Sequence, residues 1–234
     1  MALWRQMEVV ANNMANSNTP GYKNEEMMFR EYLMPTRSNN PATGSTVSFV
    51  QDVGLVRNTA EGPLTKTDNS LDFALHGEGY FQVETQAGMR YTRDGHFRLD
   101  EGGMLVNSDG YAVMDNRDQP IIFAPNEANI TVAPDGTVST ENGRVATMKV
   151  VKFANEQDLS NAGNNLFETT QSPVVIARPE VLQGMMEESN VSPVMEMTRM
   201  MSVLRQYESV QQIIDNETTR IEKAQGVLAG TQAA

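Results

Sequence analysis

Leu3, Met7, Val10 and Met14 follow one another at spacings of four, three and four. That spacing puts them on one side of a helix, and it predicts a helix over residues 3–17. The apolar stripe is a narrow seam, which suits a partner helix better than a globular core. Four asparagines, Asn12, Asn13, Asn16 and Asn18, crowd the end of this helix. Their short amides compete for backbone groups and weaken a helix interior. Thr19, Pro20 and Gly21 then stop it, because proline lacks a donor and glycine permits a tight turn. Residues 24–34 read either as a second short helix or as an extended arm. Residues 35–48, PTRSNNPATGSTVS, are polar and turn-rich, a linker or loop.

From residue 71 to 153 the pattern changes to short alternating runs. Phe73 and Leu75 precede Gly77 and Gly79; Tyr80, Phe81 and Val83 read as a strand. Ala87-Gly88 is a turn, residues 89–93 a strand, and Asp94-Gly95 a hairpin signal. Phe97 and Leu99, Leu105 and Val106, Tyr111 and Val113 continue the scheme, with turns at Gly102-Gly103 and Asp109-Gly110. Ile130, Val132 and Val138 flank Asp135-Gly136, and residues 148–153 form another strand. This rhythm predicts an all-β unit. Residues 154–183 read as turn and loop, with a short strand at 174–177. Helical signals return at Ser192, a candidate N-cap, with Pro193 in the first helical position and Glu196 nearby. Met197, Leu204, Gln211, Thr218 and Gln225 then fall on heptad position a. Met200, Tyr207, Ile214, Ile221 and Leu228 fall on d, and Val203, Val210 and Ala224 widen the seam at g. The expected fold is mainly β with α: terminal N- and C-helices pair as a coiled coil around an inserted all-β domain. Residues 1–34 and 186–234 would form the helical core domain, 35–48 a linker, and 49–185 the β-rich domain. An N-terminal helix this short is marginal alone, so the ends should gain order by packing on copies of the chain or on relatives.

Composition narrows the chemistry. The chain has 234 residues, a net charge of -12, a pI near 4.6 and a mean hydropathy of -0.43. Such a polyanion repels nucleic acid and anionic lipid at long range. With no cysteine there are no disulfides, thiolate metal sites or thiol nucleophiles. The two histidines, His76 and His96, are too few for a multi-histidine metal centre. No run is apolar enough to span a membrane, and MALWRQMEVV lacks the features of a cleaved secretory signal. The reading is therefore a cytoplasmic protein or one that leaves by a route needing no such signal. Sixteen methionines are many, and methionine tolerates more than one packing partner. GEGYF at 77–81 lacks the lysine and following helix of a phosphate loop and reads as a turn. His96 reads as a solvated turn histidine, His76 as a packed or hydrogen-bonded one, and Glu187-Glu188 as a solvated approach to the helix. The acids lie scattered in turns, against a hydrolase with paired carboxylates. No catalytic, metal or cofactor residue is assigned.

Three motifs, in four stretches, carry a resemblance. ANNMANSNTPGYK at 11–23 resembles the ANNxANxxTxGxK signature of flagellar axial proteins, the rod, hook and hook-associated subunits. LDFALHGEGYFQV at 71–83 and YTRDGHFRLDEGGMLVNSDGYAVM at 91–114 resemble the central segment shared by rod and hook proteins. LQGMMEESNVSPVMEMTRMMSVLRQYE at 182–208 resembles their C-terminal stretch. The resemblance covers nearly the whole chain in the family's order, and length with the segment at 31–52 looks most like the proximal rod type, the distal type next. Family members carry about two to three further helical turns before ANN; either the start is late or the inner helix is shorter here. The resemblance implies a structural subunit, with D0-like helices and a D1-like β part. It implies export, unfolded, through the flagellar type III apparatus, and polymerisation into a rod that crosses the periplasm and transmits torque. The implied partners are other rod subunits, proximal and distal, and copies of the chain, with no nucleic acid and no membrane insertion. Leu3, Met7, Val10 and Met14 would supply burial, with Asn12, Asn13 and Asn16 at inter-subunit contacts or else merely fraying and capping the helix end. Thr19, Pro20 and Gly21 would set the exit of the chain, and Ser189, Asn190 and Val191 the angle at which the last helix starts. Met197, Met200, Leu204, Tyr207, Ile214, Ile221 and Leu228 would face partner helices. A secreted binding module is the competing reading; its termini would be ordered in the free monomer.

Overall fold

Tyr80 and Phe81 are neighbours in sequence, and in a strand neighbours point to opposite faces. Both are buried, because the strand Tyr80–Thr85 runs through the centre of a nine-stranded sheet with apolar clusters on both sides. Phe81 and Val83 join Phe73, Leu75, Phe97, Leu105, Val113 and Val150 in the larger core. Tyr80 joins Tyr91, Val151, Phe153, Leu159 and Phe167 on the other side. Double-sided burial is why YFQV shows no clean polar alternation. Edge-on aromatic contacts fasten both clusters: Phe81 and Phe97 have ring centroids 5.3 Å apart, and Tyr91 and Phe153 4.8 Å.

A computed structural model describes the backbone of residues 2–35, 46–124, 127 and 129–231, and side chains of 2–28, 54–124, 127 and 129–225. It is mainly β with two helices, α1 (Ala2–Ala15) and α2 (Pro193–Thr231). Two compact units divide the described residues. One lies within Met1–Ala15, Glu26–Leu55 and Ser192–Ala234; the other within Asn16–Glu25 and Val56–Val191.

In the β unit, Tyr80–Thr85 pairs with Gly88–Thr92, Ala112–Val113 and Val150–Lys152. The strands Leu105–Asn107 and Phe97–Leu99 continue the sheet to one edge, and Phe167–Glu168 and Ser160–Asn161 to the other. Thr131–Val132, Thr137–Thr140 and Gly143–Thr147 form a separate three-stranded sheet. The returning chain pairs Glu180–Gln183 with Phe73–His76, then Met185–Glu187 with Leu64–Lys66.

The turns separate into kinds that sequence spacing does not distinguish. Asp109-Gly110 lies in a hairpin, with Val106 opposite Ala112 and Asn107 Oδ1 accepting from the Asp109 and Tyr111 amides. Asp94-Gly95 is not a hairpin: Phe97–Leu99 lies at the sheet edge, away from Gly88–Thr92. Gly95 is there for close approach. Its carbonyl accepts from the Phe73 amide, and a Cβ on it would sit 1.6 Å from the Phe73 carbonyl oxygen. The strand Gly143–Thr147 has no counterpart in the sequence reading, being mostly polar and half-exposed.

The helix α1 ends two residues before the expected boundary, and the chain, now in the β unit, turns again at 16–19 and 19–22. Of the two readings for 24–34, the extended one holds: Glu25–Pro35 is a strand paired with Thr46–Arg57. Most of the expected linker, residues 36–45, lies outside the described residues, and Thr46 already opens the second strand. The Ser192 carbonyl accepts from the Glu196 amide at 3.0 Å, as expected of a residue just before Pro193 starts α2.

Candidate assembly surface and the clasp

Thr19 to Lys23 do more than end a helix. They are bonded along Glu187 to Val191, from the far end of the sequence. The Gly21 amide donates to the Glu187 carbonyl at 2.8 Å, and the Asn190 amide to the Tyr22 carbonyl at 3.3 Å. Gly21 has φ +67°, and a Cβ there would lie 2.6 Å from the Arg93 carbonyl carbon, so only glycine fits without displacement. Asn165 Nδ2 donates to the Pro20 carbonyl at 2.6 Å. Asn190 works with every polar atom: Oδ1 accepts from the Asn24 amide at 2.7 Å, and Nδ2 donates to the Asn58 and Ala60 carbonyls, both at 2.9 Å. Ser189 and Val191 are buried, and Ser189 Oγ accepts from the Val191 amide.

Glu187 sits at the centre of this clasp. It is 1% exposed, so the sequence reading of a solvated glutamate is overturned. Lys23 Nζ donates to Oε1 at 2.5 Å, the Gly62 amide donates to the same oxygen at 3.0 Å, and Arg93 Nε lies 3.0 Å from Oε2. Arg93 also donates to the Gly79 and Gly77 carbonyls, and Lys23 to the Ala60 carbonyl. Burial pulls the Lys23 ammonium below the ordinary lysine pKa, while the adjacent Glu187 works against that shift. Lys23 is the single charged residue in 11–23, the one hint in the sequence of a buried ionic partner. These contacts explain why residues 16–25 and 186–191, assigned above to the helical part, belong to the β unit.

Within the helical unit, α1 buries Val10 and Asn13 fully; Leu3, Met7 and Met14 are half-buried and Asn12 is exposed, and Asn16, just past the helix in the β unit, is half-buried. Among the described side chains of α2, Glu196 and Val203 are buried. Asn13 Nδ2 donates to Glu196 Oε2 at 3.4 Å, so the end of α1 meets the first turn of α2. The sequence-based face of α2 is mostly uncovered. Met200 is half-buried, whereas Met197, Leu204, Tyr207, Ile214 and Ile221 are exposed, and the Leu228 side chain lies outside the described residues. Every described side chain from 204 to 225 is exposed.

Other polar groupings are structural. An ionic cleft of about 340 Å³ is lined by Lys23, Glu61, Tyr80, Arg93 and Glu156 among others. Its cations already face Glu187, and Tyr80 donates to Glu156 at 3.3 Å. His76 Nδ1 lies 2.9 Å from Glu61 Oε1, whose second oxygen accepts from the Gly77 amide. The Glu61 contact raises the His76 pKa. Burial disfavours the charge on Glu61, but the bonds from His76 and Gly77 outweigh it and lower its pKa. His96 is exposed, as expected, and its Nδ1 lies 2.8 Å from Asp72 Oδ1. Among the described residues no three acids or histidines form a metal-holding group, and no helix is long and apolar enough to cross a membrane.

Three family models match the chain: flagella basal body rod protein over 1–23, flagellar hook protein FlgE/F/G D1 domain over 74–140, and flagellar basal body rod FlgEFG protein C-terminal over 182–226. The chain is 39% identical to the flagellar basal-body rod protein FlgF of Caulobacter vibrioides, covering 92% of this chain and 89% of that one. It is 30% identical to FlgF of Rhizobium meliloti, covering 99% and 95%. It is 34% identical to the rod protein FlgG of Agrobacterium fabrum, covering 89% and 88%.

Proposed function

The chain belongs to the flagellar basal-body rod protein family, and from that membership we propose that it is a structural subunit of the flagellar rod, of the proximal type, built into a helical shaft through its terminal helices. It works by assembly and not by catalysis, in keeping with relatives that are structural rod proteins. The observation that carries the assembly mechanism is the uncovered apolar side of α2. Leu204, Tyr207, Val210, Ile213, Ile214 and Ile221 are all at least 40% exposed. Soluble monomers rarely leave so much apolar side chain in water without a partner for it. At 1.5 Å per residue, α2 is about 58 Å long and α1 about 21 Å. Helices from neighbouring subunits would cover the remainder in a coiled-coil arrangement. A head-to-tail contact that does not close gives a helical polymer, and many modest contacts together make it stiff.

This reading places the chain in the flagellar basal body with other rod subunits as partners. Export through the flagellar type III apparatus, the span across the periplasm and torque transmission complete it. The proximal type is supported by the higher identity of the Caulobacter relative; the distal or hook-type alternative rests on relatives such as FlgG. Deleting the gene should leave basal bodies with a truncated rod and no hook. Intact motile filaments in the deletion strain would overturn the proposal.

A further inference from the structure

We propose that Asn13 and Glu196 form a register lock, a buried polar pair that fixes where α2 lies along α1. Asn13 is 0% exposed and Glu196 2%. Both carboxylate oxygens are engaged: Oε2 accepts from Asn13, and Oε1 from Arg199 Nη1 at 3.1 Å. Arg199 is itself held, with Nη2 3.1 Å from Glu26 Oε1. Arg199 compensates the charge of Glu196 from within α2, so the bond from Asn13 is what α1 contributes to this carboxylate.

Apolar contact alone would choose this register poorly. The seam of α1 is built from Met7, Val10 and Met14, and α2 offers Met197, Met200, Val203, Leu204, Tyr207 and Val210 in succession. Methionine packs against many shapes, so a slip of one turn replaces one such contact with another. The polar pair does not tolerate that slip. Shifted by one turn, Asn13 would face Met200, whose thioether is a weak acceptor for its amide, and Glu196 would lose the bond from Asn13 while still shielded from water. A single buried polar residue fixing the register of paired helices is a known use of such groups, often at a cost in stability. Asn13 thereby has a role distinct from Asn12, which lies exposed one residue away. The lock acts within one chain and does not depend on assembly. If the chain is a rod subunit, the lock also decides which apolar positions of α2 are left for neighbours.

The absence of cysteine allows a clean test. Spin labels on Glu8→Cys and Arg205→Cys, both exposed positions, report the α1–α2 offset in the full chain by pulsed electron resonance. The otherwise unaltered chain should give one narrow distance. Asn13→Leu with Glu196→Leu should keep the helix signal in circular dichroism but broaden or split the distance by about one turn, about 5.4 Å. Glu196→Gln, which keeps an acceptor, should preserve the single distance. A single unshifted distance in the double leucine variant would overturn the lock. So would loss of helix pairing in that variant, which would make the pair a source of stability and not of register.

Discussion

Glu187 shows how one side chain organises its surroundings. It faces Lys23 and Arg93 with almost no access to water. Replacing it with glutamine would leave two buried cations without their anion, and breaking such a group typically costs about 3–5 kcal/mol. Urea unfolding of Glu187→Gln should show a loss of that size in the β unit. Adding Lys23→Met should recover part of it, because one stranded charge is removed; a double variant weaker by the full sum would contradict direct coupling. His76 gives a milder, pH-dependent case. Its folded pKa is raised by Glu61, so its contribution is complete below the unfolded histidine pKa and fades as pH rises through the folded value. Proton resonance titration should place His76 above an ordinary histidine, and Glu61→Gln should bring it back. An unchanged midpoint in that variant would remove the pair as the cause.

At the scale of elements, α2 divides into a first part that meets α1 and a longer part in water. Leu204 begins the second part and is 40% exposed. Leu204→Glu puts a charge on the surface proposed to be covered on assembly, at a position where the monomer has little packing to lose. We expect complementation of motility to fail while the thermal unfolding of the β unit stays unchanged. If the β unit melted with it, the helix and the sheets would not be energetically separate. Glu196 lies eight residues earlier on the same helix and is buried; heptad counting put the seam at Met197 and Met200 because it weighs apolarity and gives no credit to a paired glutamate.

For the whole molecule, the helical ends, the β middle and the motif at 11–23 were legible because each is a local pattern of spacing or turn chemistry. Illegible were the features made by chain segments far apart. Glu187-Glu188 looks like any solvated acidic pair until Lys23 is brought to it from 164 positions away. Asp94-Gly95 carries the same hairpin signal as Asp109-Gly110, yet serves a backbone crossing against Phe73. The polar strand Gly143–Thr147 escaped because the pattern search follows buried faces. Extended backbone at Glu25–Pro35 could not be chosen over helix, since EEMMFREYLMP fits both periods.

The bond from Lys23 to Glu187 also has a kinetic meaning. Joining ends separated by 164 residues costs about 4–5 kcal/mol in chain entropy, and topologies rich in distant pairings fold late. Synthesis delivers the amino end first, so Gly21 and Lys23 must wait for nearly the entire polypeptide before their partners exist. A chain cut before Glu187 cannot finish this closure, so the β unit is completed only after its last strand has been made.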